Sequence, residues 1–166
     1  PADARAMAVR LVEALKASGD RLATAESCTA GLIGACVASA PECSEVFEGS
    51  FATYRTELKT DALGVPADLL AEKTPYDPEV ARRMAEGALR LAPRATLALA
   101  VTGVGGPGPD CGKPAGLVYI AVVKRGEAPR VEEHRFPGSP QEVLAATIRR
   151  ALAMALAFAG GIAPLA

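Results

Sequence analysis

The run "ATAESCTAGLIGA", Ala23 to Ala35, gathers Glu26, Ser27, Cys28 and Thr29 where an apolar stretch gives way to Ala, Gly and Leu. A strand that turns into a helix here presents free backbone N–H groups at the helix start. Such a turn suits an anion or an oxyanion and holds a Ser or Cys in positive potential. Ser27 is the candidate nucleophile, with Cys28 as a second, since a helix start can acidify a thiol. The same residues also suit a plain helix cap, Ser27 or Thr29 bonding a first-turn amide of a helix that begins at Ala30.

A second cluster, "FATYRTELK", ends an expected strand at Tyr54 and places Lys59 five residues later in a short helix. A lysine acts as a general base only when neutral. Moving it from ~10.4 to ~7.5 takes about 4 kcal/mol of desolvation or like-charge repulsion, for which apolar packing and Arg55 are the available sources. The alternative is a solvated surface charge. The third cluster is the loop "TGVGGPGPDCGKPAG", Thr102 to Gly116, with six glycines among fifteen residues. Its glycines let the backbone approach a phosphate or a sugar closely. Pro107 and Pro109 inside it, and a strand rather than a helix after it, exclude a dinucleotide-binding turn. A Ser-His-Asp triad would depend on the single histidine, His134, which sits among charges in "VEEHRF" and reads as a surface side chain.

The elements that must position these groups follow from periodicity. Val9, Leu11, Val12 and Leu15 predict a helix ending at Gly19, and "RLATA" a buried strand. Leu32, Ile33, Cys36 and Val37 predict a helix up to Pro41, and "VFEGSFATY" a strand with a glycine bend. Short helices are expected over Glu57–Leu63 and Ala67–Ala71, then a longer one from Pro78 to about Leu91 with Asp77 as its N-cap. "ATLALAVTG" suits a central strand buried on both faces, while "GLVYIAVV" and "RVEEHRF" form two more around a turn at Arg125–Ala128. A final helix runs from Pro140 to about Ala159. Five strands with helices enough for both faces predict one α/β domain over residues 1–166, a three-layer α/β/α sandwich with a mixed sheet.

Composition narrows the class. A chain of 166 residues, half hydrophobic, 4% aromatic and with 35 alanines, predicts a core of closely approaching helices and small side chains. Eighteen basic against nineteen acidic residues leave no electrostatic footprint for nucleic acid. Cys28, Cys36, Cys43 and Cys111 are too dispersed for a metal site or a disulfide framework, which points to a reducing cytosol and no metal. The N-terminal residues show no signal peptide. The apolar run Ala151 to Ala166 is short and broken by Gly160, Gly161 and Pro164, so no membrane role is expected. The apolar face of the final helix, with Ala155, Leu156 and Ala159, would suit a homo-oligomer interface.

Taken together, "TAESCTAGL", "ECSEVFEGSFATYRTELKTDALGV", "EVARRMAEGA", "AVTGVGGPGPDCGKPAGLVYIAV" and "RFPGSPQEVLAATIRRAL" resemble, in order from Leu22 to Leu156, the C-terminal domain of the CinA family. The resemblance implies an amidohydrolase. Its substrate would be a small-molecule nucleotide, nicotinamide mononucleotide, deamidated to nicotinate mononucleotide and ammonia by a serine and a lysine without cofactor or metal. The positions that match are Ser27, Ser44, Tyr54, Lys59, Thr102 and Gly103. Either Ser27 or Ser44 could be the nucleophile, Ser44 in a turn able to fold back over Lys59. Ser27 is preferred because preorganised N–H donors of the Ser27–Gly31 turn would meet the oxyanion. Tyr54 would fix Lys59 by a hydrogen bond, and Thr29, Gly31, Thr102, Gly103 and Gly105 would contact substrate.

Three departures from the family stand out. Thr56 occupies the place of an Asn, and Gly138-Ser139-Pro140 that of a Gly-Asp-Arg whose arginine would pair with a phosphate. Pro75, Tyr76 and Pro78 replace a small-residue turn. Arg55 or Arg135 could stand in for the missing cation. These departures also fit a catalytically impaired nucleotide-binding or regulatory relative. A role in DNA uptake, which the family's competence-related name suggests, conflicts with the balanced charge.

Overall fold

The computed structural model describes residues 2–160. In chain order its elements are α1 (Ala2–Ser18), β1 (Leu22–Glu26), α2 (Leu32–Ala38), β2 (Phe47–Ala52), α3 (Thr56–Leu63), α4 (Ala67–Lys73), α5 (Pro78–Leu91), β3 (Leu97–Gly103), β4 (Leu117–Lys124), β5 (Arg130–Arg135) and α6 (Pro140–Gly160). This is the order read from the sequence, with one added 3-10 turn at Cys43–Glu45. The first helix starts earlier than its periodic residues indicated. Strand β2 ends at Ala52 rather than Tyr54, although the Thr53 N–H still reaches the Glu26 carbonyl at 2.8 Å. Asp77 caps α5 as expected, its Oδ1 accepting from the Glu79 amide at 2.8 Å.

The strands lie in the order β2-β1-β3-β4-β5. β1 pairs parallel with both β2 and β3, whereas β4 runs antiparallel to β3 and β5. The sheet is therefore mixed. Side-chain alternation gives its two faces different textures. Leu22, Leu97, Leu99, Val101, Val118, Ile120 and Val122 face α1, α2 and α6. Ala23, Ala25, Ala98, Ala100 and Ala121 sit under α5. The small residues let α5 come close, and it carries its own close approach: a Cβ on Gly87 would lie 2.2 Å from the Leu63 carbonyl oxygen. Helix α3 is thereby seated against α5.

Helix α6 is long and apolar enough to cross a bilayer by length and composition. Its Val143, Ile148, Ala151, Leu152, Met154, Ala155 and Ala159 are buried against the fold. Ala155 and Ala159, expected at an oligomer interface, thus belong to the chain's own core. The part of the apolar run beyond residue 160 lies outside the described residues.

The topology creates one distinctive crevice. After β1 the chain goes to β2 on one side, and after β2 it crosses to β3 on the other, so the loops leaving β1, β2 and β3 diverge at the carboxyl end of β1. In open α/β sheets, ligands bind at such a switch point.

Candidate active site

A cavity of about 560 Å³ opens at this switch point, lined by Ser27 and Cys28 after β1, Tyr54 to Glu57 after β2, Tyr76, and Gly103 to Asp110 after β3. The loops flagged by their chemistry thus converge, because parallel strands present their carboxyl ends at one edge.

The polar cluster after β1 is not the simple cap expected. Alternation along β1 puts Glu26 on the same face as Leu22 and Thr24, directly under α2. Its fully buried carboxylate accepts from the amides of Ile33 at 2.8 Å and Gly34 at 2.9 Å, and from Thr29 Oγ1 at 2.7 Å and Ser50 Oγ at 2.9 Å. Thr24 Oγ1 closes the cluster at 3.0 Å. Glu26 is the cap of α2. Neither the Ser27 nor the Thr29 side chain bonds a first-turn amide, although the Thr29 carbonyl accepts from the Leu32 amide at 2.9 Å, and the residue at the N-cap position is Gly31, left-handed at φ 96°. A carboxylate already occupies this helix start, so the donors for an oxyanion are not the α2 amides. Among the described residues, the amides of Cys28 and Thr29 beside Ser27, and of Gly105, Gly106 and Gly108 in the loop, have no backbone partner.

Ser27 is 5% exposed, lines the cavity, and has its own amide fixed to the Val101 carbonyl at 3.0 Å. Cys28 is a poor thiolate here. Burial pushes its thiol up to about 12, the reverse of the acidification expected at a helix start. Lys59 is 1% exposed, not a surface charge. Its ammonium donates to the carbonyls of Thr53 at 2.7 Å and Tyr54 at 3.3 Å. Desolvation brings its pKa down from 10.5 to about 8, and the neighbouring Cys28 and Glu57 oppose that shift. The Tyr54 side chain does not hold Lys59. The backbone carbonyl does, while Tyr54 as a residue stands 68% exposed at the cavity wall.

Ser44 is not brought to this site. It lies exposed in the 3-10 turn before β2, whereas Lys59 follows the far end of that strand. Six extended residues separate the two ends by roughly 20 Å. Nor does the Lys59 ammonium make a hydrogen bond to Ser27 among the described residues. Of the expected substrate contacts, Gly103 and Gly105 line the cavity. Gly103 is also pressed on β4, where a Cβ would meet the Leu117 oxygen at 2.8 Å. Thr29 is turned inward to Glu26, Gly31 shapes the entry to α2, and Thr102 is buried, donating to the Pro75 carbonyl at 2.8 Å. His134 is distant on β5, bonded to Glu132 and stacked on Phe136.

The departures resolve in part. Ser139 and Glu142 form a reciprocal capping box at the start of α6, the Ser139 amide to Glu142 Oε2 at 2.7 Å and the Glu142 amide to Ser139 Oγ at 3.3 Å. That explains Gly-Ser-Pro as helix initiation. Of the two candidate cations, Arg55 lines the cavity, and Arg135 sits on β5 beside Glu133. Two wall residues were not among the expected site residues, Tyr76, noted only as a departure from the family, and Asp110; their side chains bond to each other across 34 positions. Asp110 in "DCGK" carried a turn signal. Glu26 could have been found from its place in the alternation of β1.

Comparison with known proteins agrees with this architecture. A family model described as the CinA C-terminal domain matches residues 4–159. A CinA-like protein of Citrifermentans bemidjiense is 44% identical over 151 residues, covering 90% of this chain and 36% of that protein. A putative competence-damage inducible protein of Desulforamulus reducens is 42% identical, covering 87% and 34%. The chain therefore spans about a third of the length of these relatives. The crystal structure of the competence/damage inducible protein CihA from Agrobacterium tumefaciens superposes with a TM-score of 0.90 at 36% identity, covering 95% of this chain and 96% of that one. A CinA superfamily protein from Klebsiella pneumoniae gives 0.90 at 32%, covering 95% and 98%. Matched over nearly its whole length in sequence and in fold, the chain belongs to the CinA C-terminal domain family.

Proposed function

We propose that this chain is an amidohydrolase that deamidates nicotinamide mononucleotide, with Ser27 as nucleophile and Lys59 as base. The observation that carries the reading is a lysine, 1% exposed and brought down to about 8 by desolvation, on the helix that follows the Tyr54–Glu57 wall of the cavity that Ser27 also lines.

The chemistry follows from what each group can do. A neutral Lys59 amine has two N–H bonds, which the Thr53 and Tyr54 carbonyls can hold, leaving its lone pair to take the Ser27 proton. The Ser27 oxygen then forms a bond to the amide carbon, and negative charge moves to the amide oxygen. The amides of Cys28 and Thr29, which face the Cys28 sulfur and no backbone carbonyl, and those of the glycine loop are the available donors to it. Returned to the nitrogen, the proton lets the C–N bond break and ammonia leave. Water then attacks the acyl-serine by the same base, giving the acid. Arg55 is the one arginine on the cavity wall and the natural partner for a phosphate.

A second reading has its own observation. Lys59 directs its bonds to two carbonyls and to no serine, which also suits a non-catalytic nucleotide-binding relative. Ammonia release from nicotinamide mononucleotide, measured for the parent, Ser27→Ala, Ser44→Ala and Lys59→Ala, separates the two. Turnover in the parent and in Ser44→Ala, lost in the other two, is expected. A parent that binds the nucleotide without turnover establishes the second reading.

A further inference from the structure

The cavity wall holds a carboxylate that the reaction above does not use and that no cation pairs with among the described residues. Asp110 is exposed on the loop after β3, and its Oδ2 accepts from the Tyr76 phenol. Its Oδ1 meets only the Cys111 sulfur, at 3.7 Å. A carboxylate offers about four acceptor sites, so most of this one is open to a ligand. No lysine or arginine pairs with it among the described residues, in contrast to Glu57, which lies 3.9 Å from Arg55.

The carboxylate is also held in place. Asp110 and Lys113 exchange backbone bonds of 3.0 and 2.8 Å across a turn in which Cys111 and Gly112 are both left-handed, at φ 48° and 72°. Pro109 fixes the residue before it. Tyr76 is anchored on one side by the Thr102 bond to Pro75 and on the other by the Asp77 cap of α5. Burial and the Asp110 charge push the Tyr76 phenol up, so it stays a donor.

We infer that Asp110, oriented by Tyr76, accepts hydrogen bonds from the ribose hydroxyls of the substrate and makes the site selective for ribonucleotides over their 2′-deoxy counterparts. This rests on the reading of the cavity as a nucleotide site. An acceptor-only group requires donors on the ligand, and a nucleotide carrying a carboxamide has two kinds. The amide must lie at Ser27 to react. Asp110 and Ser27 line the cavity from different loops, after β3 and after β1, and Tyr76 on the same wall bonds the Asp110 carboxylate. The phosphate is repelled by a carboxylate and drawn to Arg55. The ribose diol is the donor pair left for Asp110, the pairing that carboxylates make with ribose in other nucleotide sites.

The test is calorimetric binding in a Ser27→Ala background, which removes turnover. The probes are nicotinamide mononucleotide and adenosine monophosphate, each beside its 2′-deoxy counterpart. With Asp110 intact, each ribonucleotide is expected to bind about ten- to a hundredfold tighter than its deoxy partner. Asp110→Asn collapses that ratio to about threefold or less by weakening the ribonucleotides alone, and Tyr76→Phe lowers it partway. Equal binding of ribo and deoxy forms before substitution, or equal weakening of both by Asp110→Asn, overturns the inference and leaves the amidase reading intact. An Asp110-dependent ribose preference, when the parent with Ser27 intact releases no ammonia from nicotinamide mononucleotide, upholds the inference and removes the amidase. Failure of every probe to bind removes both.

Discussion

Lys59 is the one lysine buried among the described residues, and its environment serves reactivity at the expense of stability. Its pKa is about 8 in the fold and near its ordinary 10.5 in the unfolded chain. Between those values the unfolded chain holds the extra proton, so stability rises with pH from about 8 to 10.5. Below 8 the whole penalty applies, roughly 3 kcal/mol before the two carbonyl bonds offset part of it. Lys59→Met keeps the volume and removes the charge. The expected result is a variant without ammonia release whose urea-unfolding free energy at pH 7 equals or exceeds the parent's by roughly 1–3 kcal/mol, an advantage that shrinks by pH 10. A large loss of stability at pH 7 would contradict this account. The same titration predicts that kcat/KM for nicotinamide mononucleotide rises tenfold per pH unit below about 8 and levels off above it.

Elements, not single contacts, hold that lysine in place. Helix α3 carries it, and α3 is seated on α5 where Gly87 passes the Leu63 carbonyl. Helix propensity alone says that Gly87→Ala should stabilise α5 by up to ~1 kcal/mol. The close approach says otherwise, since a methyl 2.2 Å from a backbone oxygen forces the two helices apart. The expected outcome is net destabilisation of roughly 1–3 kcal/mol in urea unfolding, with a fall in kcat larger than the change in KM as Lys59 is displaced. Helix α2 is fixed in another way: the Glu26 carboxylate under its first turn ties it to β1 and, through Ser50, to the β2 edge.

For the whole molecule, the site depends on the topology. Three loops from distant parts of the chain line one cavity only because β1, β2 and β3 are parallel neighbours and the chain reverses direction around β1. A ligand held there links all three loops and binds the folded chain alone. At a hundred times its dissociation constant, nicotinamide mononucleotide should stabilise the parent by about 2.7 kcal/mol, a rise of roughly 5–10 °C in Tm. The Arg55→Ala variant should need more nucleotide for the same rise, and no shift in the parent at any concentration would count against a nucleotide site. This chain is about a third as long as its curated relatives, so any activity of a longer protein rests on further experiment.

Local pattern determined a good deal unaided. Apolar periodicity and turn residues gave the element order, the five strands and the mixed α/β class, since those signals reside within a few consecutive residues. The motifs around Ser27, Lys59 and the Thr102–Gly116 loop marked three segments that the fold does bring together. What the tertiary structure decided is which atoms face the cavity. Ser44 stands at the wrong end of a parallel strand from Lys59, and Thr29 and Thr102 turn inward to Glu26 and Pro75. Lys59 is buried rather than solvated, Tyr54 holds it by backbone rather than phenol, and Tyr76 meets Asp110. Each of these depends on distance between residues far apart in the chain or on the direction of one side chain, and both are set by packing across the sheet.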